Sequence, residues 1–172
     1  MRELILGGVR SGKSRIAERH ALESGLAVTY VATAEALDEE MEKRIEHHRM
    51  NRPSVWRVVE AGCDLAKTLR EEAGEGRCLL VDCLTLWLTR LLMKGEEEMH
   101  SEIMNFLETL PLLPGKIILV SNETGMGVVP LGEITRRFCD ESGRLHQRLG
   151  EICDSVILTV AGLPLWIKKE KT

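Results

Sequence analysis

Short, continuous apolar runs alternate along this chain with longer segments whose apolar residues have helical spacing. The apolar runs, rich in β-branched residues, occupy residues 4–6, 27–32, 78–81, 117–120 and 156–160. Continuous rather than alternating hydrophobicity is typical of strands that are buried on both faces. The segments with helical spacing are 14–24, 35–50, 63–73, 84–94, 96–110 and 131–150. This alternation predicts an α/β fold with a mostly parallel sheet and helices on both faces.

Composition and charge narrow the class of protein. At 172 residues the chain fits a single domain, residues 1–172, and its 29% charged residues are ordinary for a globular protein. A net charge of −4 without a Lys/Arg-rich block argues against nucleic acid as a partner. No apolar run approaches the roughly 20 residues of a membrane span, and the first is too short for a signal peptide. Five cysteines without a C-x-x-C pair favour a reducing compartment, so we expect a cytoplasmic protein.

The most informative motif begins where the first apolar run ends. Residues 7–14 read GGVRSGKS, the G-x-x-x-x-G-K-[ST] phosphate loop, and lie between a strand-like run and a helical segment. Its glycines let backbone N–H groups surround phosphate oxygens, Lys13 can reach the β- and γ-phosphates, and Ser14 can hold Mg²⁺. The predicted nucleotide-binding residues of the loop are Gly7, Gly8, Val9, Arg10, Ser11, Gly12, Lys13 and Ser14. The predicted ligand is a nucleoside triphosphate.

Asp82 ends the apolar run CLLVD at 78–82. In phosphate-loop enzymes a second strand of this kind places an acid near Mg²⁺. A strand that merely ends in Asp at a turn is the alternative. Beside the phosphate loop, the metal-side role is favoured.

Two adjacent histidines, His47 and His48, fall near the end of the charged segment 35–50. Surface or helix-capping histidines are the simpler interpretation. A neutral imidazole can also attack the α-phosphorus of a nucleotide and so divide nucleotidyl transfer into two steps through a covalent intermediate. The residues alone leave both interpretations open.

The segment RIEHHRMNRPSVWRVVE at 44–60 resembles the signature of the bifunctional adenosylcobinamide kinase/adenosylcobinamide-phosphate guanylyltransferase family. Other blocks resemble that family in the same order: GGVRSGKSRIAE, YVATAE, VDCLTLWLT, SNETGMGVVP, GRLHQRLG and AGLPLWIK. Together they cover nearly the whole chain. Thr124 and Gly150 depart from the family pattern, at positions outside the proposed chemistry.

The resemblance implies two reactions. A nucleoside triphosphate, ATP or GTP, phosphorylates the aminopropanol hydroxyl of adenosylcobinamide. GTP then transfers GMP to adenosylcobinamide phosphate, which gives adenosylcobinamide-GDP and pyrophosphate through a guanylylated histidine, His47 by its position in the motif. The resemblance also implies a RecA-like sheet, a homotrimer and a further set of GTP-site residues, which are Ala32, Thr33, Ala34, His48, Arg49, Met50, Asn51, Glu60 and Asp82.

Several residues keep two interpretations. Glu60 can accept hydrogen bonds from guanine or can be a solvated residue after a strand. Trp56 and Trp87 are expected to pack in the core rather than to stack on a base. The loop 121–130 is expected to contact substrate or a neighbouring subunit. Arginines on the segment 131–150 can face phosphate or corrin groups, or can form ion pairs on a solvated helix.

Other functions compete with the bifunctional enzyme. A simple phosphate-loop small-molecule kinase needs no histidine intermediate. A regulatory GTP switch is disfavoured because no N-K-x-D motif occurs in the chain. A RecA-like DNA-binding module is disfavoured by the acidic net charge.

Overall fold

The computed structural model describes residues 1–34 and 53–169. The predicted helix 35–50 lies outside the described residues. The seven strands are β1 (Arg2–Gly7), β2 (Ala27–Ala32), β3 (Arg57–Glu60), β4 (Arg77–Asp82), β5 (Lys116–Asn122), β6 (Ser155–Val160) and β7 (Leu163–Lys168). The described helices are α1 (Lys13–Glu23), α2 (Leu65–Glu72), α3 (Leu84–Lys94), α4 (Glu96–Thr109) and α5 (Glu133–Ile152), with a 3₁₀ turn at Leu110–Leu112.

All seven strands form one sheet in the order β3-β2-β4-β5-β1-β6-β7. The strands β1 to β6 pair in parallel, and β7 alone is antiparallel, on β6. The strand β1 lies between β5 and β6, so the loop that follows it emerges from the interior of the sheet. In open α/β sheets, ligands bind at the carboxyl ends of the strands, which is where this loop lies.

The strands are continuously apolar because both faces of the sheet are covered. In β1, Leu4 and Leu6 belong to one buried cluster and Ile5 to another on the opposite face. The first cluster contains side chains from α2, α3, α4 and α5, and the second contains side chains from α1. The mostly parallel sheet with helices on both faces, predicted from the apolar runs, is therefore confirmed.

The strand β7 was not predicted, and its sequence explains why. Pro164 interrupts its apolar residues, which argues against a central strand, and only an edge strand such as β7 tolerates a proline there. The hairpin turn before it is made by Ala161 and Gly162, which both have positive φ, 51° and 79°. Two such residues are typical of a tight primed turn, for which Asn-Gly or Asp-Gly is the recognisable signal.

Candidate active site

The phosphate loop passes directly from β1 into α1. Arg10 and Gly12 have positive φ angles, 57° and 92°, so the backbone adopts a left-handed conformation at two positions in the loop. Such conformations turn successive N–H groups toward one concave side, which favours an anion. The helix α1 begins at Lys13, and Gly12 provides no side-chain cap. The first N–H groups of α1 have no intrahelical partner and are available to phosphate oxygens.

Close packing requires glycine at two positions of this loop, Gly7 and Gly12. A Cβ atom at Gly7 would lie 2.4 Å from Ser11 Oγ and 2.8 Å from the Thr159 carbonyl oxygen. A Cβ atom at Gly12 would lie 3.1 Å from the Cα atom of Gly162. The Gly162 N–H donates to the Ser11 carbonyl oxygen at 2.8 Å. The β6–β7 turn therefore supports the phosphate loop, a role that no local signal in the sequence indicates.

Lys13 is placed at the mouth of the loop. Its Nζ atom donates to the Gly8 carbonyl oxygen at 3.3 Å. The contact is long and exposed, so the ammonium group can exchange it for phosphate oxygens at small cost. The Ser11 hydroxyl oxygen is buried without a hydrogen-bond partner. Both observations fit a loop whose polar groups are arranged for a ligand.

Asp82 ends β4 at the same edge of the sheet, two strands from β1. The Thr33 hydroxyl donates to the Cys83 carbonyl oxygen at 2.6 Å and accepts from the Cys83 N–H at 2.8 Å. Thr33 is completely buried, and Arg90 donates to its carbonyl oxygen at 3.3 Å. These bonds join the ends of β2 and β4 and fix the backbone that carries Asp82.

Burial and the negative charge of Asp82 raise the pKa of the Cys83 thiol to about 11, while Lys13 acts in the opposite direction. The thiol is therefore protonated and unreactive at neutral pH. Lys13 follows the loop after β1 and Asp82 ends β4, so both residues lie at the carboxyl edge of the sheet.

The donor set fits Mg²⁺ better than a metal held by protein alone. Ser14 and Asp82 offer hard oxygen ligands, which Mg²⁺ combines with waters and substrate phosphates. In the described ranges, 1–34 and 53–169, no group of three or more His, Cys, Asp or Glu side chains could hold a metal ion.

The other predicted GTP-site residues that the structure describes lie on or just after strands farther from the phosphate loop. Ala32 ends β2, and Ala34 follows Thr33 at the same edge. Glu60 ends β3 and is exposed. Four strand spacings separate β3 from β1, a distance of about 19 Å. A role for these residues in binding GTP stays a prediction, as does that of Thr33. His47, His48, Arg49, Met50 and Asn51 lie outside the described residues.

Trp56 and Trp87 are both buried, as expected for packing residues. Trp87 stacks edge-on against Phe106, with ring centroids 5.2 Å apart, and its Nε1–H donates to the Cys63 carbonyl oxygen at 2.7 Å.

The arginines of α5 make intramolecular contacts. Their partners are the Pro130 and Leu131 carbonyl oxygens for Arg136, Glu96 for Arg137, Glu141 for Arg144 and Glu151 for Arg148. This favours the ion-paired helix over a phosphate-binding face.

A polar cluster that the sequence did not indicate lies beside the loop, where β5 ends. His146 of α5 is 9% exposed, with Nε2 2.8 Å from Ser121 Oγ and Nδ1 3.6 Å from a carboxylate oxygen of Glu123. Burial lowers the pKa of His146, and the neighbouring Glu123 carboxylate opposes that shift. Because 25 residues separate Ser121 from His146, no local spacing could have revealed the contact.

Comparison with known proteins extends these observations over the whole chain. Residues 3–167 match the family described as CobU: Cobinamide kinase / cobinamide phosphate guanyltransferase. The chain is 61% identical, over 99% of both chains, to the bifunctional adenosylcobalamin biosynthesis protein CobP of Pseudomonas aeruginosa. It is 37% identical to the bifunctional adenosylcobalamin biosynthesis protein CobU of Escherichia coli K12, over 96% of this chain and 98% of that one.

Solved structures support the fold. A protein of Pyrococcus horikoshii OT3 has a TM-score of 0.57 and 11% identity, over 99% of this chain and 87% of that one. The RadB recombinase has a TM-score of 0.53 and 17% identity, over 91% and 73%. At these identities the likeness concerns the fold alone, which is the RecA-like phosphate-loop fold. The match over residues 3–167 and the similarity to two full-length relatives show that the chain belongs to the cobinamide kinase / cobinamide phosphate guanyltransferase family.

Proposed function

We propose that this chain is a bifunctional enzyme of adenosylcobalamin biosynthesis. It phosphorylates adenosylcobinamide with a nucleoside triphosphate and then transfers GMP from GTP to the product. The observation that carries this function is the family match over residues 3–167, because that range includes both the phosphate loop and the two histidines. A simple kinase with an inert His47 is the competing function, and the experiment below separates the two.

In the kinase step, the loop N–H groups and the α1 N-terminus hold the β- and γ-phosphates, and Lys13 neutralises charge that develops during transfer. Ser14 and Asp82 would hold Mg²⁺, which would supply further neutralisation of the phosphate charge. In the guanylyl step, the same loop holds GTP while His47 attacks the α-phosphorus and pyrophosphate leaves. GMP then passes from the imidazole to the substrate phosphate, which regenerates His47.

The experiment is to incubate the protein with α-³²P-GTP and Mg²⁺, denature it, and assay protein-bound label. A phosphoramidate on histidine gives label that is labile in acid and stable in base. We expect His47→Ala to abolish the label and to retain phosphorylation of adenosylcobinamide. His100→Ala is the matched control, because His100 is 54% exposed on α4. Label of equal intensity in His47→Ala, or no label on the wild-type protein, would exclude the covalent mechanism.

Lys13→Ala tests whether one loop serves both reactions. If it does, both activities fall together. Full guanylyl transfer by Lys13→Ala would require a separate nucleotide site.

We also propose a homotrimer that works in the cytoplasm. Leu163, Leu165 and Ile167, at alternate positions of the edge strand β7, are 71%, 60% and 60% exposed, which is consistent with a face covered by another subunit. All five cysteines are free thiols, as expected in a reducing compartment. In the part of the chain that the structure describes, no helix has the length and apolar character of a membrane span.

A further inference from the structure

Phosphorylation of an alcohol releases a proton, and the residues assigned above to nucleotide and Mg²⁺ leave that proton without an acceptor. Three strands of the site edge end at or beside a described carboxylate: Asp82 at β4, Glu60 at β3 and Glu123 after β5. Asp82 is on the metal side, and Glu60 lies at the far edge of the sheet. Glu123 lies beside the loop, because β5 pairs with β1 and the Glu123 N–H donates to the Gly7 carbonyl oxygen at 3.1 Å.

The Glu123 carboxylate is held from two sides. One oxygen accepts from the Gly125 N–H at 2.7 Å. The other lies 3.6 Å from His146 Nδ1, which is an electrostatic contact longer than a hydrogen bond. The Glu123 side chain is 19% exposed, so it is confined yet reachable by a substrate. Catalytic contacts that are long in the free enzyme commonly shorten in the substrate complex.

On the other side of His146, a chain of hydroxyl groups can set which of the two ring nitrogens carries the proton. The Asn122 N–H donates to Thr85 Oγ1 at 2.7 Å, so the Thr85 proton is free to point toward Ser121 Oγ, 3.5 Å away. Ser121 can then donate to His146 Nε2 at 2.8 Å. Burial lowers the pKa of His146 and so favours the neutral imidazole, and when Nε2 accepts from Ser121 the ring proton lies on Nδ1, which faces the carboxylate.

Space for the acceptor lies next to the residues that follow Glu123 in the chain. A cavity of about 510 Å³ lies between the loop after Glu123 and α5, and its lining includes Thr124, Gly125, Arg136 and Gln147. A cavity of this size takes a drug-sized group. It suits the hydroxyl-bearing arm of a corrinoid rather than the whole macrocycle.

We propose that Glu123 is the general base of the kinase step and that His146 is the residue that positions it. The hydroxyl oxygen of the acceptor forms a bond to the γ-phosphorus while the bond from that phosphorus to the β,γ-bridging oxygen breaks. The electron pair leaves with the nucleoside diphosphate, and the hydroxyl proton passes to the Glu123 carboxylate. This inference rests on the proposed kinase function.

The guanylyl step provides an internal comparison. Its acceptor is a phosphate monoester, which is largely ionised at neutral pH, so the attacking oxygen carries no proton that a base would have to remove. A base at Glu123 therefore assists the first reaction and not the second. A purely structural Glu123 would affect both reactions alike.

Glu123→Gln is the decisive variant, because the glutamine oxygen can still accept from the Gly125 N–H while the basic group is lost. We expect kcat of the kinase reaction, measured with γ-³²P-ATP and adenosylcobinamide, to fall about 10²- to 10⁴-fold. The ratio of kinase to guanylyltransferase activity should fall at least about 100-fold. Glu75→Gln is the matched control, since Glu75 is exposed in the loop before β4, at the opposite edge of the sheet. In Glu123→Ala, added formate should restore part of the kinase rate.

His146 is tested by two substitutions of different chemistry. His146→Leu should lower kinase kcat about 10- to 100-fold with little change in KM for ATP, because the carboxylate loses its orientation. His146→Asn, whose amide N–H can replace Nδ1–H, should recover most of that loss. A parallel fall of both activities, or a kinase rate of Glu123→Gln within threefold of wild type, overturns the inference. A wild-type protein that does not phosphorylate adenosylcobinamide contradicts the proposed function itself.

Discussion

Thr33 shows how one small polar side chain holds the site together. Its hydroxyl makes two hydrogen bonds to the backbone of Cys83, and its carbonyl oxygen accepts from Arg90, which also donates to the Ala61 carbonyl oxygen at 3.0 Å. The ends of β2, β3 and β4 are thereby tied to α3. Both hydrogen-bond partners of the Thr33 hydroxyl are backbone groups of Cys83. Because Cys83 directly follows Asp82, these two bonds help to hold Asp82 in position.

Thr33→Val is expected to destabilise the protein by about 1–3 kcal/mol, because valine keeps the shape but leaves the partly buried Cys83 N–H without its acceptor and the Cys83 carbonyl oxygen with only its Trp87 N–H donor. The affinity for Mg²⁺ with nucleotide should fall as well, since Asp82 loses its support. Urea unfolding and nucleotide titration with and without Mg²⁺ measure the two effects.

Thr33→Ser is the control, because serine keeps the hydroxyl and loses only a methyl group. It should retain the metal-dependent part of the affinity. Equal losses in the valine and serine variants would show that packing, and not the hydroxyl, is what matters at this position.

Individual residues also show which parts of the site could be predicted from the sequence. Lys13 and Asp82 were predicted from a local pattern, and the structure places both at one edge. Glu123 lies in the loop 121–130, which was expected to contact substrate or a neighbouring subunit, and His146 lies in a segment singled out by resemblance. Neither residue was given a role of its own. Their relation depends on α5 packing over β5, which a linear pattern cannot express.

At the level of elements, α3 illustrates why helices were predicted well. The predicted bounds, 84–94, are the observed ones, because Leu84, Trp87, Leu88 and Leu91 form a buried stripe at helical spacing. Gly95 follows with a φ of 115° and ends the helix. The strand β7 was missed because Pro164 interrupts its apolar run, which an edge strand tolerates and a central strand does not. Helices were predicted correctly where the burial of one face imposes a periodic pattern of apolar residues on the sequence.

Trp87→Phe tests the packing of α3. The phenyl ring keeps most of the contact with Phe106, but it leaves unfilled volume where the indole lay and removes one of the two donors to the Cys63 carbonyl oxygen, the other being the Leu65 N–H. We expect a loss of about 1–3 kcal/mol in the free energy of unfolding, measured in urea.

Met93→Ala on the same helix is the matched control, since Met93 is 76% exposed and its loss should change stability by less than about 0.5 kcal/mol. Similar losses in both variants would contradict the assignment of Trp87 to the core.

At the level of the whole molecule, His146 makes stability depend on pH. Its pKa is lower in the folded protein than in the unfolded chain, where it lies near 6.5. Below pH 6.5 the unfolded chain therefore binds a proton that the folded protein does not. The free energy of unfolding falls with pH from about 6.5 down to the folded pKa, with a slope of at most about 1.4 kcal/mol per pH unit.

His146→Asn should remove this contribution, so that its stability declines less than that of the wild type between pH 7 and pH 5.5. Urea unfolding at several pH values measures the difference. His100→Asn is the control and should follow the wild type. An unchanged slope in His146→Asn would mean that burial does not keep this imidazole neutral.

The support that Gly162 gives to the phosphate loop has a consequence for biosynthesis. The loop takes its shape from contacts that are distant in sequence, because β1 needs β5 and β6 as neighbours and the loop needs the turn at 161–162. During synthesis the motif at residues 7–14 is therefore made before the architecture that shapes it. We expect the loop to become competent for a nucleotide only after β6 and the turn that follows it have been added to the chain.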